Sequence, residues 1–167
     1  NVQSQRDSVR KVIFNTYAEE LRQAEKGTDM MLRSQVYLKI ADAFRKVKDE
    51  EIAINYYNKA LEIEEKYGEQ KNVSDVYEEL AETYYSSGNF QHSIANYEKS
   101  LSLKEKTGDK AGASKVLSEI ANVYESNYEY KQAVDYYQKS AQIKDSIRDE
   151  SGLKDVMDDL GDVYYKQ

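Results

Sequence analysis

Apolar positions recur along the chain at spacings of three and four, as in Val76, Leu80, Thr83 and Tyr84 and then Ile94, Tyr97 and Leu101. Side chains so spaced lie on one stripe of an α-helix, and the pattern predicts amphipathic helices. The short Val/Ile runs of a parallel α/β chain are missing, and so are the prolines that β turns use. The pattern predicts an all-α protein.

The same pattern repeats with a period of forty. Residues 31–70, 71–110 and 111–150 align without a gap, with 11 of 40 identities between the first and second rows and again between the second and third. Val36, Val76, Val116 and Val156 share a column, as do Ala41, Ala81, Ala121 and Gly161. Phe44, Tyr84, Tyr124 and Tyr164 form one aromatic column, and Tyr57, Tyr97 and Tyr137 another. Each row divides into two helices, approximately Ser74–Ser87 and Gln91–Lys106 in the second. Gly88-Asn89 makes the turn between them. The equivalent turns, Lys48-Asp49-Glu50 and Asn127-Tyr128-Glu129, lack glycine and are expected to be built differently. Gly68 and Gly108 suit the position after a helix end. Arg148 in that column predicts a helix that ends elsewhere or runs on.

The small column has a packing reason. An alanine at a helix crossing lets two backbones approach to about 8–9 Å, and an aromatic side chain on the opposing helix fills the space beside it. Tyr57, Tyr97 and Tyr137 are expected to pack on Ala41, Ala81 and Ala121. Each pair then keeps one apolar flank that only the next pair covers, which is the logic of a stacked solenoid.

Composition narrows the function. The 167 residues carry 24 Lys+Arg and 31 Asp+Glu, for a net charge of −7, with no Cys and one His. Disulfides and thiolate metal sites are excluded. An acidic chain without a basic run is a poor non-specific nucleic-acid binder, and no stretch approaches the length of a membrane span. His92 sits in a helix first turn, where it reads as solvated. Asp155 and Asp158 share a helix face while Asp159 turns away, so this triplet reads as a charged surface rather than a metal or acid–base site. No glycine-rich phosphate loop is present. Neither catalysis, a metal nor a cofactor is expected.

These rows resemble the tetratricopeptide repeat family. The family's first-helix pattern stands at Tyr77, Leu80, Ala81 and Tyr84, and again at Tyr37, Ile40, Ala41 and Phe44; at Leu117, Ile120, Ala121 and Tyr124; and at Met157, Leu160, Gly161 and Tyr164. Its second-helix pattern stands at Ala53, Tyr57 and Ala60, at Ser93, Tyr97 and Ser100, and at Ala133, Tyr137 and Ser140. The usual proline is replaced by Glu65, Glu105 and Asp145. The forty-residue period is similar to that of kinesin light chains and bacterial sensor-kinase or phosphatase regulators. The resemblance implies a right-handed superhelical solenoid of antiparallel helix pairs, read as one array. Residues 1–30 give a second helix only, 31–70, 71–110 and 111–150 three full repeats, and 151–167 a first helix only. Both ends interrupt a repeat, so the chain is expected to be a section of a longer protein. The flank of Val156, Leu160, Val163 and Tyr164 is expected to lie uncovered, a route to self-association.

The resemblance also implies a groove lined by the first helices. In the second row its positions include Asp75, Glu78, Glu82 and Tyr85; in the third, Ser118, Asn122 and Glu125; in the last helix, Asp155, Asp158, Asp162 and Tyr165. The acidic residues recur at spacings of three and four, so each helix presents them on one face. Tyr85 and Tyr165 follow a core tyrosine and turn about 100° away from it, as an open aromatic surface suited to peptide contact. The expected function is a non-catalytic module that binds a protein or peptide segment bearing basic residues. Alternatives are the sensory or regulatory section of a larger bacterial signalling protein such as a sensor histidine kinase, and a structural or self-associating repeat array.

The column assignment separates two neighbouring residues. Tyr97→Ala is expected to destabilise by about 3–5 kcal/mol, the range for truncating a buried aromatic. His92→Ala is expected to stay within roughly 0.5 kcal/mol. Equal losses in chemical denaturation would sink the assignment.

Overall fold

The computed structural model describes residues 2–166; Asn1 and Gln167 lie outside it. Eight helices run through it: α1 (Val2–Lys26), α2 (Met30–Lys46), α3 (Glu50–Tyr67), α4 (Gln70–Ser86), α5 (Phe90–Thr107), α6 (Lys110–Ser126), α7 (Tyr130–Ser146) and α8 (Glu150–Lys166). Among the described residues there is no strand. α4 begins four residues before the expected Ser74. Its first turn, Gln70-Lys71-Asn72, is polar and exposed, so the apolar periodicity starts only at Val73. Local caps fix several helix starts: Asp29, Asn89 and Asp109 accept the backbone N–H groups of Leu32, His92 and Gly112.

The chain forms two compact units, one ending at Ser87 and one beginning at Gly88. In the first unit, Ala41, Phe44, Ala53, Tyr57 and Ala60 are fully buried in one core, with Ile13, Phe14, Tyr17 and Leu21 of α1 packed against it. Phe14 meets Phe44 with ring centroids 5.0 Å apart. A polar clamp holds the same helix: Arg10 Nε lies 2.6 Å from Asp49 Oδ2 and Arg10 Nη2 lies 3.0 Å from Asp49 Oδ1. Asp49 is buried in the turn between α2 and α3. In the second unit, Ala121, Ala133 and Tyr137 are fully buried. The small-on-aromatic pairing thus holds at Ala41 with Tyr57 and at Ala121 with Tyr137.

Two expectations are corrected here. Val156, Leu160 and Val163 are not an open flank: all three are buried in the core that α8 shares with α7. That stripe of α8 faces back onto the preceding helix, and what it leaves open is Met157, Tyr164 and Tyr165. The turns without glycine are also not built differently. Lys48, Tyr128 and Arg148 take positive φ values of 57°, 62° and 59°, close to the 76° of Gly88 and the 74° of Gly108. At Lys48 the reason is plain in the hydrogen bonds. Its N–H donates to Arg45 O and that of Asp49 to Phe44 O, each at 2.9 Å, so the last carbonyls of α2 are satisfied. Tyr128 and Arg148 repeat this pairing, and α7 ends at Ser146 as a result. Gly68, by contrast, is extended, with φ −85° and ψ 171°.

Two tests follow from these contacts. A non-glycine residue in the left-handed region costs about 1–2 kcal/mol, partly offset by glycine's greater freedom in the unfolded chain. Lys48→Gly is therefore expected to stabilise by about 0.5–1 kcal/mol and Gly88→Ala to destabilise by about 1 kcal/mol. Thermal denaturation with both shifts of the same sign would contradict the turn assignment. The second test concerns Asp49, whose carboxyl is held below its ordinary range, chiefly by the hydrogen bond from Arg10. A lowered folded-state pKa means stability that is present above the unfolded carboxylate range near pH 4 and lost as the pH falls through the folded value. Arg10→Ala is expected to destabilise at neutral pH, because buried Asp49 loses its two-point partner and keeps only the more distant Arg6 and the Ile52 backbone N–H, and to cost little in acid. A loss that does not change with pH would exclude the clamp.

Candidate functional site

The predicted groove residues fall on both units. In the first, Asp75 and Glu82 on α4 are exposed, Glu78 is half-buried and Tyr85 is 39% exposed. The chain supplies its own cation here. Arg45 reaches across from α2, with Nη1 2.7 Å from Glu82 Oε2 and Nη2 2.8 Å from Glu79 Oε2. Burial pushes the Glu79 carboxyl up, against the opposing pull of Arg45. Glu79 was missing from the predicted set because it lies beside, not on, the predicted lining.

Beneath this face, the Tyr57 hydroxyl donates to Asp42 Oδ1 at 2.5 Å. A buried core tyrosine on α3 thus ends at a carboxylate on α2. Burial, followed by this hydrogen bond, raises the Tyr57 phenol well above its ordinary value. The first unit also contains a cavity of about 310 Å³ walled by α2, α3 and α4, whose lining includes Asp42, Tyr57, Glu64, Asp75 and Glu79.

In the second unit the same device recurs. The Tyr137 hydroxyl donates to Asn122 Oδ1, and to Glu125 Oε2 at 3.0 Å. Burial first, and Glu125 next, raise its phenol strongly. Ser118 Oγ lies 2.8 Å from Ser140 Oγ on α7, and Lys166 Nζ lies 2.7 Å from Glu125 Oε1. Ser118, Asn122 and Glu125 are half-buried, and each already spends a polar atom on α7. A period-three pattern cannot reveal these engagements, because the reach of a tyrosine hydroxyl through the core depends on the helix separation.

The α8 face differs. Asp155, Asp158 and Asp162 are exposed and make no ion pair among the described residues, and Tyr165 is 93% exposed. Asp159 is half-buried beside them; burial first, and then Glu125, Asp162, Asp155 and Asp158, raise its carboxyl. Like charges at three- and four-residue spacing disfavour one another. Among the described residues, no His, Cys, Asp and Glu side chains gather in threes to hold a metal ion, and no helix is long and apolar enough to cross a membrane.

Comparison with known proteins identifies the fold. Three solved structures are similar to the chain. BtubC (BKLC) from P. vanneervenii is 19% identical with a TM-score of 0.78, over 96% of this chain and 67% of that one. Aspartyl phosphate phosphatase F from Bacillus subtilis is 15% identical with a TM-score of 0.74, over 84% and 37%. The apo form of RapI is 19% identical with a TM-score of 0.83, over 99% and 46%. The chain thus spans less than half of the last two. At these identities the likeness speaks for the fold alone. No curated protein matches the sequence. A tetratricopeptide repeat model matches residues 18–106 and a second one residues 116–151. With the first alone spanning more than half of its length, the chain belongs to the tetratricopeptide repeat family.

Proposed function

We propose that the chain is a non-catalytic interaction module whose first-helix faces bind a protein segment carrying basic residues. Family membership supports the module. The observation that carries the ligand's charge is the α8 face, where Asp155, Asp158 and Asp162 are exposed and make no ion pair among the described residues, with Lys166 near Asp162 but bonded to Glu125, and Tyr165 stands open beside them. A lysine or arginine there relieves carboxylate repulsion, and the tyrosine ring offers a flat apolar surface at small entropic cost. On α4 the same ligand meets carboxylates that Arg45 already holds, so the gain is smaller.

A second reading, a regulatory section of a larger bacterial signalling protein, draws support from one observation. The chain is similar to 37% of aspartyl phosphate phosphatase F and 46% of RapI. In that reading the segment bound by the repeats belongs to, or controls, another part of the parent protein.

Titration with matched basic, neutral and acidic twelve-residue peptides tests the charge assignment. The basic set is expected to bind best, and to weaken as salt shortens screening to about 8 Å. Asp155→Lys/Asp158→Lys is expected to cost about tenfold in affinity, or about 1.4 kcal/mol. Equal binding of the three peptide sets would refute the proposal.

A further inference from the structure

Among the forty-residue columns whose charge changes sign, one lies in the interior of the chain's packing. At the ends of α5 and α7 stand Lys104, which is buried, and Lys144, half-buried. Lys104 Nζ lies 3.6 Å from Asp109 Oδ2 and Lys144 Nζ lies 3.4 Å from Asp149 Oδ2. Each lysine thus brings a cation, buried at Lys104 and half-buried at Lys144, to the acidic residue that starts the following helix. In the first unit the column holds Glu64, and Glu69 stands in place of the aspartate. The cation is gone, and a carboxylate occupies its position.

Glu64 is only 2% exposed. Its Oε1 accepts a hydrogen bond from Ser34 Oγ at 2.5 Å, whereas its Oε2 is buried with no hydrogen-bond partner. A buried carboxylate oxygen left unpaired is unfavourable by more than the same loss at a neutral group. The backbone makes room for it: a Cβ on Gly68 would lie 2.1 Å from Oε2. Glu64 lines the cavity of about 310 Å³ described above, together with Asp75 at its exposed side and Met31, Leu38 and Val76. Two other carboxylates of the lining are already engaged, Asp42 by Tyr57 and Glu79 by Arg45. Glu64 and Asp75 have no cation among the described residues.

We infer that this cavity seats a single lysine or arginine side chain of a bound protein segment, its nitrogen at Asp75 and facing the uncompensated charge of Glu64 in the wall, its methylenes against Met31, Leu38 and Val76. The volume is at the low end for small-ligand sites, about 300–1,000 Å³, which suits one long side chain and no folded element. The apolar walls shield the alkyl stem as the charged tip reaches an acceptor. The ligand restores from outside the cation that Lys104 and Lys144 provide from within. This rests on the reading that the repeats bind a basic segment, and adds where one of its cations goes.

The test uses the whole chain and four probes: an acetylated, amidated hexapeptide alternating lysine and alanine, its arginine and norleucine counterparts, and n-butylamine. NMR follows the backbone amides of Ser34 and Gly68 and the side-chain carboxyl of Glu64. The lysine and arginine peptides are expected to shift all three signals and the norleucine peptide none. Glu64→Gln, which keeps the size and an acceptor for Ser34, is expected to weaken the lysine peptide about tenfold. Asp75→Asn, at an exposed position, is expected to weaken it two- to fivefold. Undiminished binding to Glu64→Gln would overturn the seat while leaving the basic-segment reading intact. Absence of peptide binding to the unaltered chain would overturn both. Shifts with n-butylamine but not with peptides would make the occupant a free amine and reject a partner's side chain.

Discussion

The structure depends on one steric pairing, a residue with almost no side chain set against a tyrosine. Ala41 and Tyr57, and likewise Ala121 and Tyr137, are fully buried in shared cores. The alanine permits a close approach of backbones that a larger residue would prevent. The tyrosine fills the volume that approach leaves, and its length carries the hydroxyl through to the far side. There it meets Asp42 in one unit and Asn122 with Glu125 in the other. Core packing and the polarity of the first-helix face are thus set by the same side chain.

That coupling explains why the fold was legible in the sequence and the site only in outline. Helix class and the columns of Ala41 and Tyr57 and their counterparts follow from periodicity, because burial at fixed spacing leaves a regular trace, and the family is carried by the motif residues in those columns. Turn geometry leaves a weaker one. Lys48, Tyr128 and Arg148 accept a left-handed backbone because two hydrogen bonds close each helix end, so residue preference did not decide the conformation. The periodicity of Val156, Leu160 and Val163 marks an apolar face without saying which neighbour covers it, and α7 does.

The polar contacts were the least legible. Arg10 and Asp49 are far apart in sequence and meet only because α1 packs along the α2–α3 turn. The spacing of Asp75, Glu78 and Glu82 carries no sign that Arg45 holds Glu82 and its neighbour Glu79. Glu64 reads in the sequence as one more glutamate of a charged helix. Its meaning comes from burial and from the lysines that replace it in later rows.

Arg45 gives the first unit a property that a list of its charges hides. A guanidinium tethered within 2.8 Å of two carboxylates behaves as a rival ligand whose local concentration never falls, however dilute the protein. An incoming cation at Glu82 must therefore exchange with it rather than add to it. Exchange of like for like changes the number of ion pairs by little, so recognition there discriminates by fit and by what the displaced arginine finds next. On α8 the internal cation, Lys166, is bonded to Glu125 and stands near Asp162, so at Asp155 and Asp158 the same cation arrives as a net addition. One chain with an evenly acidic sequence thus offers two regimes of selectivity, one competitive and one additive.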